Sequence, residues 1–243
     1  MVGVLNKSLS VVIPAYNEEA RVGPAIDATL AWAAASGFDV EVLLSDDGSL
    51  DGTLEAAQAL AGQHPQLRAL SGPHAGKGAA VRRGMLAAKK EAVLFMDADQ
   101  AAPASEVEAL WPALEAGADV VCGSRALPES KILVPQPGAR SWAGRSARGL
   151  IRLSGLTHVR DTQCGFKLFK AQAAKDIFSK VTIDGFAFDL EVLGLAKRLG
   201  LRVVEAPIRW SHKEPSHLSL KRDLFRIALE VLRLAWRFRA MPL

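Results

Sequence analysis

Five short apolar runs separated by four longer helical patterns fill the first 123 residues, and this alternation constrains the fold more than any other feature of the chain. Leu9–Ile13, Val40–Leu44, Leu67–Leu70, Ala92–Met96 and Asp119–Gly123 read as strands. Between them, Glu18–Ala35 (closing at Gly37), Asp51–Ala61, Gly76–Lys89 and Pro103–Glu115 read as helices. Repeated β-α units fold as a parallel sheet with helices on both faces, because each helix returns the chain to the same end of the sheet. Right-handed crossovers then gather the strand C-terminal ends along one edge, where open α/β sheets bind their ligands. The expected fold class is therefore α/β, a Rossmann-like, mostly parallel sheet flanked by helices.

The second half is less regular. Pro128, Pro135, Pro137 and Gly138 make residues 126–139 read as a loop, followed by an amphipathic segment over Arg140–Ser154. A strand-like stretch Gly165–Phe169, a helix Asp189–Leu199 and strands around Val203 and Ile208 come next, and a long helical pattern Leu218–Arg239 closes the chain. No internal repeat or low-complexity linker divides the sequence, so a single domain over residues 1–243 is expected.

Composition excludes several classes. With 49% hydrophobic and 23% charged residues the chain is globular rather than disordered. Two cysteines, Cys122 and Cys164, cannot build a disulfide framework, so a reducing cytoplasm is expected. No apolar run reaches the roughly 18–20 residues of a membrane span, and Leu9–Pro14 is too short for a signal-peptide core. The net charge of +4 conceals a strong asymmetry. Residues 1–130 carry 9 cations and 17 acids; residues 131–160 carry 6 cations and no acid; residues 161–243 carry 15 cations and 9 acids. Such a split implies different partners for the two halves. The basic half lacks the interleaved aromatics of a nucleic-acid stacking platform, so nucleic acid is not expected as a partner.

The acids of the first half sit at strand ends. Asp46-Asp47-Gly48-Ser49 closes the second strand and Asp97-Ala98-Asp99 the fourth. Two carboxylates one residue apart beyond a buried strand suit Mg²⁺ or Mn²⁺, which bind through carboxylates together with substrate phosphates. Acids at strand ends also cap helices, and the pattern alone leaves both readings open. The stretch Gly72-Pro-His-Ala-Gly76-Lys77-Gly78 departs from a phosphate loop: three residues rather than four separate its glycines, and glycine follows the lysine. Lys77, at a helix start, is still placed to meet a phosphate.

In order and spacing, Val12-Ile-Pro14-Ala15-Tyr16-Asn17-Glu18, Asp46-Asp47-Gly48-Ser49, Gly76-Lys77-Gly78, Met96-Asp97-Ala98-Asp99 and Gly123-Ser124-Arg125 resemble family 2 glycosyltransferases with the type A fold. Arg160-Asp161-Thr162-Gln163-Cys164-Gly165-Phe166-Lys167-Leu168-Phe169 and Gly185-Phe186-Ala187-Phe188-Asp189-Leu190-Glu191 resemble the branch that makes polyprenyl-phosphate sugars, nearest the dolichyl-phosphate β-glucosyltransferases, with the mannosyl enzymes next. The resemblance runs over about residues 9–225.

It implies an inverting transfer of glucose from UDP-glucose to a polyprenyl phosphate. It further implies that Pro14, Ala15, Tyr16, Glu18, Asp46, Asp47, Lys77, Asp97 and Gln163 face the donor. Asp97 and Asp99 would hold Mg²⁺ or Mn²⁺, with His212 as a third ligand. Arg125, Arg140 and Arg145 would meet the acceptor phosphate, and Asp189, Asp99 and Arg125 would act in catalysis. Residues 1–130 would then serve the nucleotide sugar and metal, 131–217 the acceptor, and 218–243 a basic amphipathic helix. That helix would rest on a membrane surface or dock on the sheet, and a peripheral enzyme on the inner face of the cell membrane is expected. Two departures bear on this. Gln100 follows Asp99 directly, whereas the mannosyl branch, which would use GDP-mannose, has a metal-contacting Gln one position later. Membrane anchors usual in the family are also missing. The alternatives are a soluble transferase to a sugar hydroxyl, which the basic stretch 131–160 disfavours, and an inert nucleotide-sugar-binding module, which intact Asp97, Asp99, Arg125 and Asp189 disfavour.

Overall fold

A computed structural model describes residues 6–135, 155–213, 233–234 and 236–238. The expected segment 140–154, with Arg140 and Arg145, and most of the expected helix over 218–239 lie outside the described residues. Nine strands are described: β1 (Ser8–Ala15), β2 (Asp39–Asp46), β3 (Leu67–Leu70), β4 (Ala92–Met96), β5 (Val120–Ser124), β6 (Lys131–Val134), β7 (Phe166–Lys170), β8 (Val203–Pro207) and β9 (Arg209–Ser211). The described helices are α1 (Glu19–Ser36), α2 (Thr53–Ala61), α3 (Lys77–Ala87), α4 (Val107–Glu115), α5 (Ala171–Phe178) and α6 (Phe188–Arg198).

Seven strands form one sheet in the order β3-β2-β1-β4-β7-β5-β8. All pairings are parallel except those of β7, which runs antiparallel to both β4 and β5. This reversal decides what the site contains. Because Met96 pairs with Phe166, the entry to β7 lies at the same edge as the C-terminal ends of β1, β2, β4, β5 and β8. Cys164 and Gly165 therefore join the ligand-binding edge although they precede their strand.

Both faces of the sheet are covered, so its strands are apolar throughout and divide by residue parity. Leu9, Val11, Ile13, Leu94, Met96, Phe166 and Leu168 belong to the core under α1 and α4. Val12, Leu43, Val93, Phe95 and Phe169 belong to the core under α3, α5 and α6. Lys167, between Phe166 and Leu168, points to that second face and is 1% exposed.

Three expectations need correction. Residues 126–139 do not form an uninterrupted loop, since Lys131–Val134 is strand β6 and pairs in parallel with β9. The short apolar run Ile132–Val134 is enough for an edge strand when a partner lies alongside. The pattern over Pro103–Glu115 divides into a 3-10 turn at Ala104–Glu106 and α4. The sequence pattern does not predict helix α5: its eight residues make about two turns, too few for a 3.6-residue period to stand out.

The last described turn, at residues 233–234 and 236–238, is helical and docks on the core. Leu234 and Phe238 are buried in the second face of the core, whereas Trp236 is 75% exposed. Of the two placements expected for the 218–243 helix, membrane surface or sheet, its described turn takes the docked one: Phe238 and Arg237 are turned onto α6, at Gly194 and the buried Glu191 carboxylate.

Candidate active site

Two of the loops at the sheet edge require unusual backbone. The only described non-glycine residues with positive φ are Asn17, just past β1, and Gln100, just past Asp99. A left-handed conformation costs an L-residue about 1–2 kcal/mol, so both positions are held by surrounding bonds. The Asn17 side chain accepts from Leu50 N at 2.8 Å, tying the end of β1 to the loop after β2. Gln100 donates its side-chain amide to Pro24 O at 3.1 Å, turning away from the Asp97–Asp99 pair.

Asp46 and Asp47, expected to face the donor, are buried and spend their oxygens on the loops themselves. Asp46 accepts from Gly48 N and Ser49 N at 3.0 and 3.1 Å. Asp47 accepts from Ala75 N at 3.1 Å and Gly76 N at 2.8 Å, and lies 2.9 Å from His74 Nδ1. Both therefore shape the wall of the crevice from behind. His74, which sequence reasoning passed over, stacks on Tyr16 with ring centroids 4.0 Å apart and planes 19° apart. Pro14 and Ala15 are buried at the C-terminal end of β1. Glu18 pairs with Arg21 at 3.1 Å, and Gln163 is exposed.

Asp97 is the centre of the constellation. Its amide donates to Gly165 O at 3.1 Å, and its carboxylate lies over Gly165. A Cβ at Gly165 would stand 2.0 Å from Asp97 Oδ2, so glycine is the residue that lets the carboxylate sit there. Lys77 Nζ is 2.7 Å from Asp97 Oδ1 and close to the rings of Phe95 and Phe186, at 5.5 and 5.9 Å. Burial pulls the Lys77 ammonium down, but the carboxylates of Asp97 and Asp189 outweigh it and hold it above its ordinary value. Two amides at the start of α3 are already engaged: Gly78 N and Ala79 N donate to Asp184 O at 2.7 and 3.3 Å. The ammonium of Lys77 supplies the cation there.

Burial, reinforced by the charge of Asp97, pushes the Asp99 carboxyl up. Two hard carboxylates held this close carry more negative charge than Lys77 neutralises, and that donor set fits a divalent cation. Among the described residues no three His, Cys, Asp or Glu side chains stand together as a metal set. His212, expected as a third ligand, lies past β9 with its amide bonded to Val134 O at 3.0 Å and its ring tilted against Trp210.

Two ion pairs support the site from below. Arg125 grips Asp161 through Nε at 2.7 Å and Nη2 at 2.8 Å, and its guanidinium lies 5.2 Å from the Trp210 ring centre. Burial raises Asp161, but the bonds and charge of Arg125 hold it below the usual carboxylate range. Asp189, at the start of α6, is 2.6 Å from Lys167 Nζ, which also donates to Cys164 O at 2.7 Å. Burial pushes the Asp189 carboxyl up, while Lys167 is kept charged by Asp189 against its own burial. Asp161, Gly165 and Lys167 stood inside recognised motifs without a role. A lysine in the strand pattern Phe166–Phe169, where both faces are covered, was the one legible sign of a buried cation.

The sequence matches the Glycosyl transferase family 2 domain over residues 10–178. It is 34% identical over 240 residues to the dolichyl-phosphate β-glucosyltransferase ALG5C of Trichomonas vaginalis, covering 94% of this chain and 71% of that one. It is 35% identical over 254 residues to the dolichyl-phosphate β-glucosyltransferase of Drosophila melanogaster, covering 96% of this chain and 78% of that one. Its fold is similar to that of glucosyl-3-phosphoglycerate synthase from Mycobacterium tuberculosis, solved with Mn²⁺, UDP and phosphoglyceric acid, with a TM-score of 0.69 and 23% identity over 97% of this chain and 79% of that one. The fold is thus the type A glycosyltransferase fold. A family match that runs from β1 to the last residue of α5 takes in every strand end carrying the crevice acids, so the chain belongs to glycosyl transferase family 2 and is a glycosyltransferase.

Proposed function

We propose that the protein transfers glucose from UDP-glucose, with inversion, to the phosphate of a polyprenyl lipid of the dolichyl kind. The observation that carries this reading is the likeness, over 94% and 96% of the chain, to enzymes named for that sugar and that acceptor. The geometry supports it by setting a carboxylate pair beside fixed cations at one sheet edge.

Asp97 and Asp99 are the residues to hold Mg²⁺ or Mn²⁺, which when bound supplies positive charge to the departing UDP. Lys77 adds a second cation on the same side of the crevice, and electrostatic stabilisation of a leaving diphosphate is the largest contribution such a site makes. The Tyr16–His74 stack offers a flat surface for a nucleobase. A phosphate monoester has a second pKa near 6 and is mostly dianionic at pH 7, so the nucleophile requires little deprotonation. Asp189, locked by Lys167, accordingly orients its neighbours rather than serving as a strong base. Arg125, fixed by Asp161, presents charge to the acceptor phosphate, with Arg140 and Arg145 as the further cations. Among the described residues no helix is long and apolar enough to cross a membrane, and the proposed enzyme meets its lipid at a membrane surface.

The test offers the purified protein UDP- and GDP-sugars with and without a polyprenyl phosphate and Mn²⁺. UDP-glucose turnover that needs both lipid phosphate and metal is the expected result. Transfer to a soluble sugar without lipid would overturn the acceptor, and preference for GDP-mannose the donor. Asp99→Ala is expected to lower turnover by about 10²-fold or more.

A further inference from the structure

The carboxylate of Glu191 on α6 is fully buried and binds two separate parts of the chain. On one side it accepts from Thr182 N at 2.9 Å, Thr182 Oγ1 at 3.0 Å and Ile183 N at 2.7 Å. On the other, Arg237 Nη1 in the C-terminal turn donates to it at 2.6 Å and also to Thr182 Oγ1 at 2.7 Å. The C-terminal turn is held on α6 by two further contacts. Arg198 Nη1 donates to Phe238 O, and the Phe238 ring lies against Gly194, where a Cβ would stand 2.3 Å from it.

The segment that Glu191 holds reaches the active site. Asp184 O accepts from Gly78 N and Ala79 N, and Arg82 binds both Val181 O at 3.1 Å and the Asp184 carboxylate at 2.9 Å. Residues 181–187 therefore lie across the start of α3, the helix that carries Lys77 to Asp97. Two residues further along the same segment, Phe186 stands beside the Lys77 ammonium. Its side chain is still 47% exposed at the crevice.

We infer that Arg237 is a positioning residue for the active site, acting through Glu191 on residues 181–187 and thereby on Lys77. The physical reason is an asymmetry. A buried carboxylate that keeps its cation is stable, but one that loses its cation costs much more than the pair contributed. Without Arg237, Glu191 draws water or moves, and the Thr182 and Ile183 amides move with it. The start of α3 then loses the carbonyl that orders it. Seating of the C-terminal segment thus becomes a condition for a formed site, which gives that segment influence over catalysis without touching substrate.

The test compares Arg237→Met, Arg237→Lys and the double variant Glu191→Gln/Arg237→Met in the full chain. Amide hydrogen exchange is read without substrate, so it is scored whether or not the reaction proposed above is correct; turnover rests on that reading. For Arg237→Met, faster exchange is expected at Thr182, Ile183, Gly78 and Ala79, with the strands of the central sheet unchanged. Turnover should fall by about tenfold to a hundredfold, the range for a small misplacement of reacting groups. Arg237→Lys, which keeps the charge beside Glu191, should recover part of both. The double variant should be better protected and more active than Arg237→Met alone, because removing the stranded charge relieves the defect. Exchange that rises only at residues 233–238, or uniformly through the sheet, would overturn the proposal. So would a double variant worse than the single one.

Discussion

Gly165 and Asp161 illustrate how single positions set the chemistry without touching a ligand. Replacing Gly165 by Ala puts a methyl group on the Asp97 carboxylate, a side-chain end that can swing away while the backbone stays. Gly165→Ala is therefore expected to melt near the wild-type temperature, to lose at least about tenfold in turnover and to bind Mn²⁺ more weakly by titration calorimetry. Unchanged Mn²⁺ affinity would remove Asp97 from the metal site. Asp161 supplies a pH test. Burial alone would raise it, and Arg125 instead holds it below its ordinary value of 3.8. A carboxylate depressed in the folded state contributes its stability in full above the unfolded pKa and loses it as pH falls through the folded one. Asp161→Asn should cost about 3 kcal/mol at pH 7, where it takes the carboxylate from a partly buried guanidinium. The gap to wild type should narrow below about pH 4, as wild type loses what the variant lacks. Urea unfolding at pH 7 and pH 3 checks both, and a gap that does not shrink would mean Asp161 is not ionised in the fold.

Helix α6 carries its functions at helical spacing: Asp189 near its start reaches Lys167, and Glu191, Gly194 and Arg198 share the face that receives the C-terminal turn. Gly194 stands mid-helix, where alanine would gain about 1 kcal/mol in propensity. Its Cβ would evict Phe238, whose burial is worth about 1.5–3 kcal/mol. Gly194→Ala should therefore destabilise the protein by about 1 kcal/mol, yet stabilise it in a Phe238→Ala background, where no ring is displaced. Thermal melting of the four variants reads the sign, and destabilisation in both backgrounds would mean that Phe238 does not pack on Gly194. At this scale the sequence was legible where the signal is local. The strands β1 to β5 announce themselves as apolar runs because both faces of the sheet are covered. The Asp97–Asp99 pair was visible because it ends one of them. Lys167–Asp189 and Arg125–Asp161 were not, because their partners lie 22 and 36 residues apart and meet only through the antiparallel turn-in of β7. The Glu191–Arg237 pair spans 46 residues, too far for periodicity to join the two.

Over the whole molecule, an acidic first half and a basic second half contribute strands to one sheet, so a single crevice edge joins two fields of opposite sign. The acidic half carries the carboxylates that suit a cation. The stretch 131–160, with 6 cations and no acid, suits an anion arriving from a surface. These two attractions differ in their response to salt. A metal in direct contact with its carboxylates is screened little, whereas attraction acting over a distance fades as the Debye length falls from about 10 Å at 0.1 M to about 3 Å at 1 M. For polyprenyl phosphate in anionic vesicles, KM should accordingly rise severalfold between those ionic strengths, while KM for UDP-glucose changes by less than about twofold. In detergent with a short-chain polyprenyl phosphate, the acceptor should keep part of that salt response, because in the proposed arrangement Arg125 would still meet the phosphate while the membrane field is gone. If both substrates lost affinity equally, the salt would be acting on the fold rather than on recognition. If neither did, the basic half would be serving something other than a lipid phosphate, and the charge asymmetry would need a different partner to explain it.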